Sequence, residues 1–144
     1  MELKVKKIRD NAILPTRGSE FAAGIDLYAC IEDDIIIPTG SSAIIPSGIA
    51  CEFPKGYFGA LIPRSSVGVK RHLSLSNNLG CLDEDYRGEI QMAFTNLGNQ
   101  PQVIKPGERL AQIILLPYVL YNIVETDSLS DSERGEGGFG STGL

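Results

Sequence analysis

The sequence predicts an all-β sandwich or jelly roll with one short helix, and three patterns support this fold class. Prolines and glycines recur together as turn signals, and β-branched or aromatic runs of about five residues lie between them. No window keeps an apolar period of about 3.6 residues long enough to predict a substantial helix. The chain has 144 residues, 42% of them hydrophobic, which is enough for one domain with its own core.

Turns of the form Pro-x-Gly bound the central strands. They occur at residues 38–40, 46–48 and 54–56. Because proline fixes φ and glycine accepts a positive φ, each of these turns predicts a chain reversal. The strands predicted beside them are residues 43–45, 49–53 and 57–62.

Two later strands and one helix complete the predicted domain. Residues 89–95 alternate strictly and place Ile90, Met92 and Phe94 on one face. Residues 110–116 indicate a more fully buried strand, which follows a turn at Lys105, Pro106 and Gly107. The best candidate for a short helix is residues 65–72.

The C-terminal end differs in composition from the rest of the chain. Residues 126–144 contain five glycines and four serines, and little to bury beyond Leu129 and Phe139. We therefore expect a β domain over residues 1–125 and a flexible C-terminal arm over residues 126–144.

Composition also excludes several classes of protein. The net charge of −5 argues against a general nucleic-acid binder. The longest apolar run, residues 113–117, is far too short to span a membrane, and residues 1–10 lack a signal core, so we expect a soluble, cytoplasmic domain. The three cysteines show no CxxC pattern, and with one histidine they predict buried thiols in a reducing compartment rather than a zinc site.

Two segments could bind an anion. Arg64, Ser65 and Ser66 precede or open the short helix, where an arginine, hydroxyls and free N–H groups suit an oxyanion; the alternative is an ordinary N-cap with a surface arginine. Residues 135–140 match GxGxxG, but only four residues follow and no βαβ unit surrounds them, which excludes a dinucleotide-binding fold. Such a segment could still wrap a phosphate chain through its N–H groups.

An acidic segment at residues 80–89 is the third candidate. Four carboxylates lie within residues 83–89, beside one tyrosine and one arginine. One of them, held near a phosphate with a water molecule, could act as a general base. The alternative is a β-hairpin with solvated acids at its tip. Together, these segments predict a nucleotide or polyphosphate ligand and leave the base and the reaction open.

In order along the chain, five segments resemble the five motifs of the homotrimeric deoxyuridine triphosphatases (dUTPases). The resemblance implies a distorted jelly-roll β-sandwich and a homotrimer with shared active sites, over which the arm of a neighbouring subunit closes. It also implies hydrolysis of dUTP to dUMP and diphosphate with Mg²⁺, which keeps uracil out of DNA and supplies dUMP for dTMP synthesis. The five segments are residues 23–29, 63–68, 77–89, 107–112 and 134–143.

The resemblance also implies roles for individual residues. Asp83 would hold the attacking water as general base, Tyr86 would stack beneath the deoxyribose, and Asp26 would reach Mg²⁺ only through water. Asn77 and the hairpin it begins would bind the uracil edge, with Gln91 alongside, and Phe139 would stack on the uracil ring. The other residues implied in substrate binding are Arg64, Ser65, Ser66 and Gln112 at the phosphates, Arg134 and Ser141 at the γ end, and Cys81, Leu82 and Gly140.

Two rival functions and one departure from the family remain. The dCTP deaminases share the fold, but they carry a glutamate base where this chain has Ala93. A catalytically idle relative could serve as a protein-binding module, although it would not need Asp83, Tyr86 and the fifth motif.

Residues 70–73 lack a glycine that the family often has there, so the sequence does not predict the backbone conformation of this segment.

Overall fold

The structure, a computed structural model, describes residues 1–138 and confirms the predicted all-β fold class. Within this range there are twelve strands and one short helix. The elements are β1 Lys4–Lys7, β2 Thr16–Arg17, β3 Gly24–Tyr28, β4 Ile35–Ile37, β5 Ser42–Pro46, β6 Ile49–Glu52, β7 Tyr57–Pro63, α1 Ser65–Arg71, β8 Leu73–Leu75, β9 Gly80–Leu82, β10 Gln91–Asn96, β11 Gln102–Ile104 and β12 Arg109–Pro117.

Antiparallel pairing of distant strands gives the distorted jelly-roll arrangement. The largest sheet has the strand order β2-β3-β12-β7-β9, and a second sheet has the order β5-β10-β8. Two-stranded sheets pair β1 with β6 and β11 with β4. Most of these neighbours are not consecutive in sequence, so the connections cross between sheets as in jelly rolls.

One hydrophobic core joins the sheets. The alternation predicted for β10 is confirmed, because Ile90, Met92 and Phe94 are each at most 1% exposed. Leu27 from β3 and Ile113 from β12 pack into the same cluster. The outer side of the largest sheet therefore remains available for polar residues.

The predicted Pro-x-Gly turns are also confirmed. Gly48 shows why glycine is required: its φ is +71°, and a Cβ there would lie 2.5 Å from Cys30 Sγ and 2.7 Å from Ala12 Cβ. Gly56 has a φ of +79° in the turn between β6 and β7. Both turns bring their backbone N–H groups to carboxylates described below.

The helix ends one residue earlier than predicted. Residue His72 is the C-cap, with a left-handed φ of 54° and ψ of 29°, and its N–H bonds back to the carbonyls of Gly68 and Val67. A left-handed residue at this position is the usual way to end a helix, and glycine is the residue that adopts it without strain. The backbone turn is thus formed although the chain has no glycine between residues 70 and 73.

Replacing His72 with glycine should stabilise the protein. A non-glycine residue in the left-handed region costs roughly 1–2 kcal/mol, part of which the greater freedom of glycine in the unfolded chain offsets. We expect His72→Gly to raise the free energy of unfolding by about 0.5–1 kcal/mol, measured by urea denaturation. The control Lys70→Gly, within the helix, should lower it by about 1 kcal/mol; a loss of stability in His72→Gly would show that the imidazole contributes more than the strain.

The cysteine prediction is right for two of the three residues. Cys30 and Cys51 are buried, and burial raises the pKa of the Cys51 thiol to about 11. Cys81 is exposed, contrary to expectation, because β9 is the edge strand of the largest sheet and Cys81 lies on its outer face. Over the described range, the one helix present is too short to cross a bilayer.

Candidate active site

The outer face of the largest sheet carries three of the predicted site residues. Asp26 in β3 lies opposite Gln112 in β12, and Gln112 lies opposite Ile62 in β7. Cys81 in β9 lies opposite Ala60, two residues before Ile62. Since directly opposed residues and residues two apart share a face, Asp26, Gln112 and Cys81 point to the same side of the sheet.

Asp26 forms an ion-pair cluster with two arginines. Its Oδ1 lies 3.2 Å from Arg64 Nε and its Oδ2 lies 3.2 Å from Arg109 Nη1. The side chain of Asp26 is only 8% exposed, whereas those of Arg64 and Arg109 are 28% and 44% exposed. A buried carboxylate needs such partners, and one carboxylate between two guanidinium groups leaves a local excess of positive charge.

Arg64 is held in place by both its main chain and its side chain. Its N–H donates to the carbonyl of Leu110, and it is the N-cap of α1 without a capping side chain. Its guanidinium contacts Asp26, so it is not the freely solvated arginine of the alternative interpretation. Ser65 and Ser66 follow it in the first turn with both side chains exposed.

Gly24 makes room for the amide of Gln112. A Cβ at Gly24 would lie 3.0 Å from Gln112 Cδ and closer still to its Oε1. The Gln112 side chain therefore lies flat over β3, two residues from Asp26. This contact sets the amide beside the ion-pair cluster.

Glu84 and Glu89, two of the four carboxylates in residues 83–89, are held by the fold rather than solvated. Glu84 Oε2 accepts the N–H of Gly56 at 2.6 Å and the hydroxyl of Tyr118 at 2.8 Å. These bonds hold the pKa of Glu84 below its usual value, and the bond from the Gly56 N–H contributes most. Only part of the acidic segment is therefore free for chemistry.

Glu89 is held at the opposite end of the segment. Its two carboxylate oxygens accept Arg9 Nε at 2.7 Å and Arg9 Nη2 at 2.8 Å, and Oε1 also accepts the N–H of Gly48 at 2.9 Å. The hydrogen bond from Arg9 is the main reason that the pKa of Glu89 lies below its usual value. Glu89 thus connects the end of the acidic segment to the N-terminal part of the chain.

Asp83 and Tyr86 remain available at the surface. Asp83 is exposed directly after β9, where its Oδ1 accepts the thiol of Cys81 at 3.6 Å. Tyr86 is 43% exposed, and its hydroxyl donates to the carbonyl of Glu89 at 3.0 Å. Its ring lies over Gly88, where a Cβ would be only 2.7 Å from Cζ, so the absence of a side chain there lets the ring lie flat.

The predicted hairpin starting at Asn77 is not a pair of hydrogen-bonded strands. In the described residues, β8 pairs with β10 and β9 pairs with β7, so the segment between them crosses from the second sheet to the largest one. Asn77 is exposed in this crossing, and its carbonyl accepts the N–H of Leu79 at 2.7 Å. The left-handed φ of 60° at Asn78 makes the sharp bend.

A pocket of about 520 Å³ lies beside Asp83. Its lining includes Asp83 and Cys81 but neither Arg64 nor Gln112. One protomer therefore does not bring the exposed acid and the arginine cluster into this pocket. The complete lining is Phe58, Cys81, Asp83, Glu84, Asp85, Tyr118 and Leu120.

Comparison with known proteins places the chain in a family. The family model described as dUTPase matches residues 10–143. The chain belongs to the dUTPase family. The deoxyuridine 5'-triphosphate nucleotidohydrolase of Hydrogenobaculum sp. (strain Y04AAS1) is 40% identical over 144 residues, covering 100% of this chain and 99% of the relative. The protein of the same name from Rickettsia prowazekii is 42% identical over 146 residues, covering 100% and 98%.

A solved structure agrees with this membership. A point mutant of the dUTPase of Staphylococcus bacteriophage 80alpha, determined with dUpNHpp, has a TM-score of 0.85 and 27% identity, and the match covers 99% of both chains. The agreement over whole chains extends the family assignment from the motifs to the complete fold.

Arg109 joins the candidate site through its ion pair with Asp26, although no sequence pattern singled it out. It lies in the fourth motif segment, residues 107–112, at the start of β12. Its partner Asp26 is 83 positions away in sequence, and only the pairing of β12 with β3 brings them together. The available signal was an arginine directly before a buried strand.

The remaining predicted site residues lie away from the ion-pair cluster or outside the described residues. The side chain of Leu82 is buried, so only its main chain could contact a ligand. Gln91 is exposed at the first position of β10, in the second sheet. Arg134 is exposed, and its Nε donates to the carbonyl of Gly137 at 2.8 Å within the arm itself. Phe139, Gly140 and Ser141 lie outside the described residues.

Proposed function

We propose that the chain hydrolyses dUTP to dUMP and diphosphate, keeping uracil out of DNA and supplying dUMP for dTMP synthesis. The observation that carries this proposal is the division of the acidic segment. Glu84 and Glu89 are held in hydrogen bonds, while Asp83 is exposed beside Tyr86 in the third dUTPase motif. Full-length relatives named deoxyuridine 5'-triphosphate nucleotidohydrolase support the choice of substrate.

Asp83 is the general base of the proposed reaction. Its carboxylate takes a proton from a water molecule as that water attacks the α-phosphorus, and diphosphate leaves from the opposite side. This chemistry needs an aligned water and charge neutralisation more than a covalent nucleophile. Asp83 suits that role because it is exposed and lies in a loop that Glu84 and Glu89 hold in place by hydrogen bonds.

The arginine cluster is the proposed phosphate site. Arg64 and Arg109 keep donors beyond those that face Asp26, and Gln112 adds an amide beside them. Ser65 and Ser66 contribute exposed hydroxyls from α1. Fixed donors around a polyanion stabilise the charge that develops during phosphoryl transfer.

The residues present fit a magnesium ion that arrives with the triphosphate. Residues 1–138 contain no group of three or more His, Cys, Asp or Glu side chains that could hold a metal. Asp26 is nearly buried and faces two arginines, so it suits contact with the hydration shell of the ion rather than direct ligation. When bound, Mg²⁺ would neutralise phosphate charge.

The nucleoside is recognised next to Asp83. Tyr86 stacks beneath the deoxyribose and leaves no space for a 2′-hydroxyl, since its ring is fixed over Gly88. Asn77, Gln91 and the main chain of Cys81 and Leu82 read the uracil edge, and Phe139 covers the base. The neighbouring phosphates are closed in by Arg134, Gly140 and Ser141.

Second copies of this chain complete each site in a homotrimer. The pocket beside Asp83 lacks the arginine cluster within one protomer. After β12, apolar side chains are left largely in solvent, which a partner surface would relieve. These are Val119, Leu120, Tyr121, Ile123 and Val124, each at least 78% exposed.

The free thiols support the proposed cell compartment. Cys30, Cys51 and Cys81 are all free, which fits a reducing environment. A cytoplasmic location is therefore part of the proposal, with no role for nucleic acid or membrane partners.

A diphosphate-release assay with dUTP, UTP, dCTP and dTTP tests the proposed function. We expect Mg²⁺-dependent turnover of dUTP, and kcat/KM for UTP lower by at least about 100-fold because Tyr86 excludes the 2′-hydroxyl. Comparable turnover of UTP would contradict that steric role. Ammonia release from dCTP would favour the deaminase. At the position of the deaminases' glutamate general base, this chain has the half-buried Ala93 of β10. Binding without turnover would favour an idle relative.

A further inference from the structure

Glu84 joins three segments that are distant in sequence. Its Oε2 accepts both the N–H of Gly56, in the turn between β6 and β7, and the hydroxyl of Tyr118, directly after β12. The N–H of Tyr118 in turn donates to the carbonyl of Gly56 at 3.1 Å. Gly56, Glu84 and Tyr118 therefore form a closed triangle of hydrogen bonds, which we call the Glu84 clamp.

The loop that carries Asp83 has few other connections to the rest of the molecule. Arg87 Nη1 donates to the carbonyls of Glu84 and Tyr86, and the N–H of Tyr86 donates to the carbonyl of Asp83. All these bonds stay inside the loop. The bonds from Cys81 to Asp83 and from Tyr86 to Glu89 stay within residues 81–89. Among the described hydrogen bonds of residues 83–88, those of the Glu84 side chain are the ones that reach the turn before β7 and the residue after β12.

We propose that Glu84 is a positioning residue for the proposed dUTP hydrolysis, acting through the Glu84 clamp on Asp83. The inference rests on that proposed function. Glu84 follows Asp83 directly, and their Cα atoms are held about 3.8 Å apart across the planar peptide bond, so a shift of the Glu84 backbone moves the backbone of the base. Hydrogen bonds to an ionised carboxylate are stronger than neutral ones, and both donors converge on one oxygen.

Small displacements of the base matter greatly for this type of chemistry. A misplacement of about 1 Å in a reacting group can lower the rate by about 100-fold. Tyr86 shares the loop, but its ring is fixed separately by Gly88 and by the carbonyl of Glu89. Loss of the clamp should therefore affect turnover more than nucleotide binding.

Kinetics of clamp variants test the proposal. We expect Glu84→Ala to lower kcat for dUTP by about 10–100-fold while KM changes by less than about threefold. Glu84→Gln, which keeps one carbonyl acceptor, should recover part of the loss. Tyr118→Phe should lower kcat by about 3–10-fold, and the double variant Glu84→Ala/Tyr118→Phe should be no slower than Glu84→Ala alone.

Matched controls separate positioning from general damage. Tyr57→Phe removes a hydroxyl that makes none of the described hydrogen bonds, and Glu32→Gln changes an exposed carboxylate outside the loop, so both should turn over dUTP at the wild-type rate. Amide hydrogen exchange at Tyr86 without nucleotide should accelerate in Glu84→Ala and not in the controls. A purely structural role would lower the melting temperature and leave kcat of the folded protein unchanged.

The possible failures can be told apart. If the wild type does not hydrolyse dUTP, the proposed function is wrong, and the exchange measurement still reports on the clamp. If the wild type hydrolyses dUTP and Glu84→Ala has the same kcat, Glu84 does not position the base. Equal exchange at Tyr86 in both proteins would overturn the clamp itself.

Discussion

Asp83→Asn is expected to lower the turnover of dUTP on the order of 10²–10⁴-fold while nucleotide affinity stays roughly unchanged. The substitution keeps the size of the side chain and one carbonyl acceptor but removes the group that takes the proton from water. Asp83 is exposed, and its one described side-chain hydrogen bond is the long contact with Cys81, so the fold does not depend on its charge. Steady-state kinetics and binding of a non-hydrolysable dUTP analogue measure the two effects separately.

Asp85→Asn provides the matched control for this experiment. It makes the same chemical change two residues away, in the same exposed loop. Both variants should unfold within about 0.5 kcal/mol of the wild type, because substitutions of exposed side chains with at most one long, weak contact have small effects. Wild-type turnover by Asp83→Asn, or an equal loss in Asp85→Asn, would remove Asp83 from the role of base.

Deletion of residues 133–144 is expected to reduce turnover at least about tenfold and to leave the melting temperature near that of the intact protein. The deletion removes Arg134, Phe139 and Ser141, which are proposed to close over the nucleotide. Its described part, residues 133–138, contains no strand, and β12 ends at Pro117. In residues 126–138 the hydrogen bonds are local, such as that from Arg134 to Gly137, so the core should not depend on this segment.

Limited proteolysis tests the same arm in the intact protein. Ordering a glycine-rich segment costs roughly 1 kcal/mol per residue or more, so closure should require the ligand. Trypsin should cut after Arg134 readily without nucleotide and slowly with a non-hydrolysable dUTP analogue and Mg²⁺. Equal cleavage under both conditions, together with full activity of the truncated protein, would show that the arm has no part in catalysis.

Local patterns in the sequence determined the fold class and the positions of β5, β6, β7, β10, β12 and the helix. The turns at Gly48 and Gly56, the alternation of Ile90, Met92 and Phe94, and the short helix all depend on neighbouring residues, and all are found in the structure. The order of the five motifs likewise pointed to the dUTPase family, because a motif is a local property of the chain.

Contacts between distant residues were decided only by the tertiary structure. Four carboxylates in one short segment look equivalent in sequence, yet Gly56 and Tyr118 hold Glu84, and Arg9 holds Glu89, which leaves Asp83 and Asp85 exposed. The physical reason is that hydrogen-bond partners of a side chain are set by strand pairing, not by its neighbours in the chain.

The same reason explains two of the predictions that needed correction and the residue that was missed. Cys81 is exposed because β9 lies at a sheet edge, and the segment after β8 crosses between sheets because β8 pairs with β10. Arg109 meets Asp26 only because β12 lies beside β3. The sequence alone determined the central strands, the turns and the motifs, whereas the pairing of the strands decided which charges meet and which acids remain exposed.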